Sequence, residues 1–223
     1  MKLGNIINAL RQLCRYYVKP QEINYWGYKD TTALVRTPIS CTNPKKVFFE
    51  EGCRLSPNAL ILNNNGKFVL KSRAEVSFGL TVVTGDHTPT MGIPITVTNP
   101  LHINDKENDI IIEEDAWLGV NVTLLSGAKI GRGSIVGACS LIKKEVPPYA
   151  VVVGVPARII AVKFSKEQIL EHERIIYPAE KRLSEEYLNN LFESHYNGLR
   201  TIGTDFLSDV DRVKIEEWVY KLK

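Results

Sequence analysis

Histidine is the side chain best suited to move a proton near neutral pH, and the chain has four: His87, His102, His172 and His195. His87 stands in Thr-Gly-Asp-His-Thr-Pro, at the mouth of a stretch rich in Pro, Gly, Asn and Asp. That setting makes it the candidate general base. Its neighbour Asp86 is a poor orienter for the imidazole, because adjacent residues of a strand point to opposite faces. His102, in Pro-Leu-His-Ile-Asn-Asp, is the weaker candidate for touching a substrate, against the plainer expectation of an exposed loop histidine. His172 and His195 fall in a helical tail and are expected to face solvent. Cys14, Cys41, Cys53 and Cys139 include no C-x-x-C pair and no histidine at zinc spacing, so reduced thiols and no metal are expected.

The elements that position these residues follow from a repeat. Residues 112–147 read in sixes as IEEDAW, LGVNVT, LLSGAK, IGRGSI, VGACSL and IKKEVP. The first positions are Ile112, Leu118, Leu124, Ile130, Val136 and Ile142, all aliphatic. The fifth are Ala116, Val122, Ala128, Ser134, Ser140 and Val146, all small or β-branched. A period of six suits neither an α-helix nor a strand alternation. It suits a triangular coil with one hexad per flat side, so that residues 18 apart stack: Ile112 on Ile130, Leu118 on Val136, Leu124 on Ile142.

Upstream the register is broken. LKSRAE and VSFGLT fit it, VVTGDH fits partly, and Val47 and Cys53 are candidate starts of earlier hexads. Asn63-Asn64-Asn65-Gly66 reads as a tight turn, and residues 88–109 as a long loop ejected from the coil. The period stops after Gly154-Val155-Pro156. Ser165 with Gln168 forms a capping-box signature for a helix to about 177, followed by helices near 184–196 and 208–222. The expected organisation is an all-β solenoid with helical appendages: a capping segment over 1–38, the coil over 39–162, and a helical extension over 163–223.

The net charge of +3 is too small to argue for nucleic acid. No run of eighteen apolar residues spans a membrane, and 1–19 has no uninterrupted apolar stretch of the signal-peptide kind, so a cytoplasmic protein is expected. Ile6, Leu10, Leu13 and Tyr17 recur at helical spacing among Arg11, Arg15 and Lys19. Such a helix is expected to pack over the end of the main domain, with peripheral contact to a membrane surface as the alternative.

The run DAWLGVNVTLLSGAKIGRGSIVGACSLIKKEVPPYAVVVGVPARII resembles the hexapeptide-repeat acyltransferases. Within them it is most similar to the branch holding galactoside, maltose, nodulation and capsule O-acetyltransferases and xenobiotic acetyltransferases. The resemblance covers about 47–160. It implies a left-handed parallel β-helix, a homotrimer, and acetyl-CoA as co-substrate lying between neighbouring subunits. It also implies His87 as the base that deprotonates an acceptor attacking the thioester directly, with a backbone amide as the expected oxyanion donor. Lys143, Lys144 and Arg158 match positions that bind the nucleotide end. Val120 and Ala138 match main-chain contacts to the pantetheine arm, and Gly119 would let that arm lie on bare backbone. Trp117 matches the tryptophan beside the cofactor groove, a position that serves equally as a subunit contact. Three residues depart from the pattern: Ser126 stands where proline is usual, Cys139 where glycine is, and Lys143 where threonine is common. These bear on local geometry.

The implied acceptor is a hydroxyl of a sugar or surface-polysaccharide precursor. The alternative is N- or O-acetylation of an amino sugar or antibiotic. A γ-type carbonic anhydrase, a remote alternative, needs three histidines on zinc, and here His87 and His102 alone fall near the repeat.

Overall fold

A computed structural model describes residues 3–221 and forms two compact units, Met1–Lys163 and Phe164–Lys223. In the first unit, strands of two to five residues alternate with corners and stack coil upon coil into three parallel faces. The first face holds Tyr28–Lys29, Val47–Phe49, Phe68–Leu70, Ile110–Ile112, Lys129–Ile130 and Glu145–Val146. The second holds Leu34–Val35, Arg54–Leu55, Glu75–Val76, Trp117–Leu118, Ile135–Val136 and Ala150–Gly154. The third holds Ile39–Cys41, Ala59–Leu62, Thr81–Val83, Thr123–Leu125 and Leu141–Ile142. The coil therefore begins at Tyr28, ahead of the boundary expected at residue 39. The early coils lack the aliphatic hexad signature because aromatic residues fill them: Trp26 meets Phe49 edge-on at 4.9 Å, and Phe49 meets Phe68 at 6.5 Å.

The register is the one an 18-residue coil requires. Ile112 pairs with Ile130, Leu118 with Val136, and Leu124 with Ile142. Ile112, Leu118, Leu124, Ile130 and Val136 are fully buried, and each contributes roughly 1.5–3 kcal/mol by leaving water. Buried serines at the fifth position find partners: Ser134 Oγ donates to Pro147 O at 2.8 Å, and Ser140 Oγ accepts from the Gly154 amide at 3.1 Å. Corner residues adopt the left-handed conformation, among them Asn58, Asn121 and Cys139 between the second and third faces. Cys139, at φ 59°, thus occupies a conformation that favours glycine, which is the residue usual there by resemblance. The repeat stops after residue 154 because the chain reverses, and Ala157–Val162 pairs antiparallel with Ala150–Gly154.

Trp26 closes the first end of the coil; it is buried and donates its indole N–H to the carbonyl of Pro20, also buried, at 2.9 Å. The helix Leu3–Leu13 takes no part in that closure. Ile6, Ile7, Leu10 and Leu13 all remain exposed, which corrects the expectation that its apolar face packs on the coil. Two of the thiols are buried, and desolvation pushes Cys41 and Cys53 both up to about 12.

The second unit contains Lys166–Ile176, Glu185–Leu191 and Asp209–Lys221. Ser165 and Gln168 form the reciprocal capping box. The expected helix end at residue 222 lies outside the described residues. His195 is exposed, but His172 is half-buried with its ring 5.2 Å from Phe164, so it does not simply face solvent.

Candidate acyl-transfer site

The segment ejected after Thr81–Val83 is an ordered excursion. Its two arms pair as an antiparallel stem, with Gly85 opposite Glu107 and Asp86 opposite Lys106. A short helix, Ile95–Thr98, lies between them, and Asn104 Nδ2 reaches Thr90 Oγ1 across the loop at 3.1 Å. Glu107 fastens the stem to the coil. Its carboxylate accepts from the amides of Asn65 and Gly66 at 2.8 Å each and from the Thr84 hydroxyl at 3.0 Å. Desolvation pushes Glu107 upward, yet these hydrogen bonds outweigh it and hold the carboxyl below its ordinary value. Gly66 is required at this junction, because a Cβ there would stand 2.6 Å from Thr84 Cβ.

One step beyond the stem's last pair, the same register brings His87 opposite Asp105. His87 Nδ1 lies 3.0 Å from both Asp105 oxygens, and His102 Nδ1 lies 2.8 Å from Oδ2. The two imidazoles stack at 6.4 Å with planes 30° apart. Hydrogen bonding from His102 is the largest influence on Asp105; desolvation opposes it and His87 adds to it, leaving the carboxyl below the ordinary carboxylate value. An ionised carboxylate only accepts, so each Nδ1 is assigned as the donor. In a neutral His87 ring this leaves Nε2 as the acceptor a general base needs.

Sequence reasoning misses Asp105 and reaches only Asp86, a poor orienter. Asp86 instead pairs with Lys106 in the stem. The available signal is the opposite charges of these two residues, and counting one residue on from their pairing places Asp105 against His87. His102 reaches its place through a turn in which His102 and Asn104 take φ of 51° and 57°.

The expected phosphate-binding residues also come together. Lys143, Lys144 and Arg158 line one groove of about 330 Å³ with Pro147, Val152 and Pro156. Lys143 and Lys144 leave the corner after the third face, and Arg158 comes from the terminal hairpin, opposite Val153. Trp117, Val120 and Ala138 are exposed. Val120 and Ala138 occupy the corner between the second and third faces, one coil apart. Gly119 has a packing reason beside the expected one. A Cβ there would meet Ala138 N at 2.7 Å, so glycine is needed for one coil to lie on the next. Ser126 serves as an anchor where the loop rejoins the coil, its hydroxyl accepting from Asn108 N at 3.2 Å and Nδ2 at 3.0 Å. Among the described residues, no three His, Cys, Asp or Glu side chains gather as a metal site.

Comparison with known proteins gives the geometry its context. Residues 109–144 match the family model "Bacterial transferase hexapeptide (six repeats)". A chloramphenicol acetyltransferase of Escherichia coli is 39% identical over 64 residues, 29% of this chain and 30% of that protein. The galactoside O-acetyltransferase of Escherichia coli K12 is 34% identical over 99 residues, 38% of this chain and 48% of that protein. The matches thus span less than half of these relatives. A hexapeptide-repeat acetyltransferase from Vibrio cholerae superposes with a TM-score of 0.58 at 24% identity, covering 70% of this chain and 92% of that one. The same Vibrio protein is also known in complex with acetyl coenzyme A. The structural likeness shows the left-handed parallel β-helix of hexapeptide-repeat proteins.

Proposed function

We propose, from the match of residues 109–144 to the bacterial transferase hexapeptide model and the likeness to named acetyltransferases, that the chain is a hexapeptide-repeat acyltransferase that transfers an acetyl group from acetyl-CoA to a hydroxyl of a sugar or surface-polysaccharide precursor. The observation that carries this reading is His87 held by Asp105 at the root of the ejected loop. His87 Nε2 takes the hydroxyl proton as the oxygen attacks the thioester carbonyl. The C–S bond then breaks and the imidazolium returns the proton to the departing thiolate. Asp105 fixes the ring and stabilises its charged form. Lys143, Lys144 and Arg158 take the phosphates of CoA, while Trp117, Val120 and Ala138 flank the pantetheine arm. Three copies form the working unit, with each CoA between two of them, in the cytoplasm where acetyl-CoA is made.

A second reading, acetylation of an antibiotic or amino sugar by the same machinery, is favoured by the name of the chloramphenicol relative. Release of free thiol from acetyl-CoA, assayed across sugars, amino sugars and antibiotics, separates the two. His87→Ala is expected to lower turnover of any true acceptor by about 10²–10⁴-fold while the oligomer stays intact; unchanged turnover sinks the assignment. Lys144→Ala is expected to raise KM for acetyl-CoA more than for the acceptor, and equal effects would remove Lys144 from the cofactor site.

A further inference from the structure

We propose that the helix Leu3–Leu13 is a docking element for an anionic lipid surface. Residues 4–13 are all exposed. Ile6, Ile7, Leu10 and Leu13 form one apolar stripe, which Tyr17 continues into the following turn, all of them in water in the single chain. The cations Arg11, Arg15 and Lys19 lie off that stripe, and no Asp or Glu occurs among residues 1–21. An apolar face bordered only by positive charge suits an interface of acyl chains and anionic headgroups.

The attachment of the helix turns it outward. Arg15 Nη2 reaches Cys41 O at 3.4 Å, so a cation, rather than the apolar stripe, meets the coil. The root is held by Pro20 under Trp26 and by Lys29 Nζ on Gln21 O at 3.2 Å. An 11-residue helix with its apolar side in water has little stability alone, which calls for something to cover it. Self-pairing through the stripe would set two flanks that carry only cations side by side, with no acid among residues 1–21 to relieve the repulsion. Among the described residues no helix is long and apolar enough to cross a membrane, so the contact is peripheral.

The test is flotation of the full chain with phosphatidylcholine vesicles, with and without about one third phosphatidylglycerol. Binding is expected only to the phosphatidylglycerol vesicles and weaker in high salt. Leu10→Gln with Leu13→Gln is expected to reduce it more than about tenfold, and Arg11→Gln about fivefold. The melting temperature should hold, since none of these side chains is buried. Absence of binding to anionic vesicles overturns the proposal. Equal binding to both vesicle types overturns it too. If the double variant instead lowers the oligomer number and leaves vesicle binding unchanged, the stripe is covered by a second copy and the lipid assignment fails.

Discussion

At the scale of single residues, the decisive contact is Asp105 between two imidazoles. A carboxylate that only accepts hydrogen bonds selects the Nδ1–H tautomer of His87, whereas an amide can also donate and releases that choice. Asp105→Asn is therefore expected to lower kcat by roughly tenfold to a thousandfold with little change in KM for acetyl-CoA. Steady-state kinetics with acetyl-CoA and an accepted acceptor measures it, and an unchanged kcat would reduce Asp105 to a loop strut. The sign of the pH effect follows from the lowered carboxyl. What Asp105 contributes to stability is present above its ordinary value of 3.8 and is lost as pH falls through the lower folded value. Losses of stability at mildly acidic pH thus belong to other groups. His87 is legible in the sequence because its type and place at the loop mouth coincide. Asp105 is not, since its role depends on hairpin register, and a two-pair stem of polar residues carries no apolar pattern that fixes register.

At the scale of elements, the coil is legible to the extent that a residue's place on the triangle dictates its size. Aliphatic residues must fill the interior and small ones the corners, so the pairs Ile112–Ile130 and Leu118–Val136 can be written down from spacing alone. That logic fails for the coils starting at Tyr28 and Val47, where Trp26, Phe49 and Phe68 fill the same volume with rings. It also leaves the packing role of Gly119 unseen, because glycine beside a ligand and glycine under a neighbouring coil look identical in sequence. A methyl at 119 would press on the backbone of Ala138 from 2.7 Å, and backbone cannot swing aside as a side chain can. Gly119→Ala is expected to destabilise the coil by about 1–3 kcal/mol, seen as a lower midpoint in denaturant with unchanged slope. A normal midpoint with a raised KM for acetyl-CoA would make the ligand contact the main role of Gly119 instead.

At the scale of the whole molecule, the placement of the parts on the prism argues for a shared site. His87 leaves the coil after the third face, whereas Val120 and Ala138 stand on the corner before that face. One prism therefore offers the proposed base and the corner proposed for the pantetheine arm to different sides, and neighbouring copies in a closed ring would bring them together. In the proposed homotrimer, an oligomer three times the 25.1 kDa of one chain, each site would draw its two halves from two subunits. Mixing tests this directly. His87→Ala removes the base half, and Ala138→Trp blocks the pantetheine half at an exposed corner, so either variant alone should be inactive. Trimers reassembled from an equal mixture should pair an intact base with an intact corner at about one interface in four. Activity should return to about a quarter of the wild-type value, read by thiol release after unfolding and refolding the mixture together. Recovery of nothing, in trimers shown by mass to be mixed, would place both halves of the site within a single subunit and dissolve the reason for a ring.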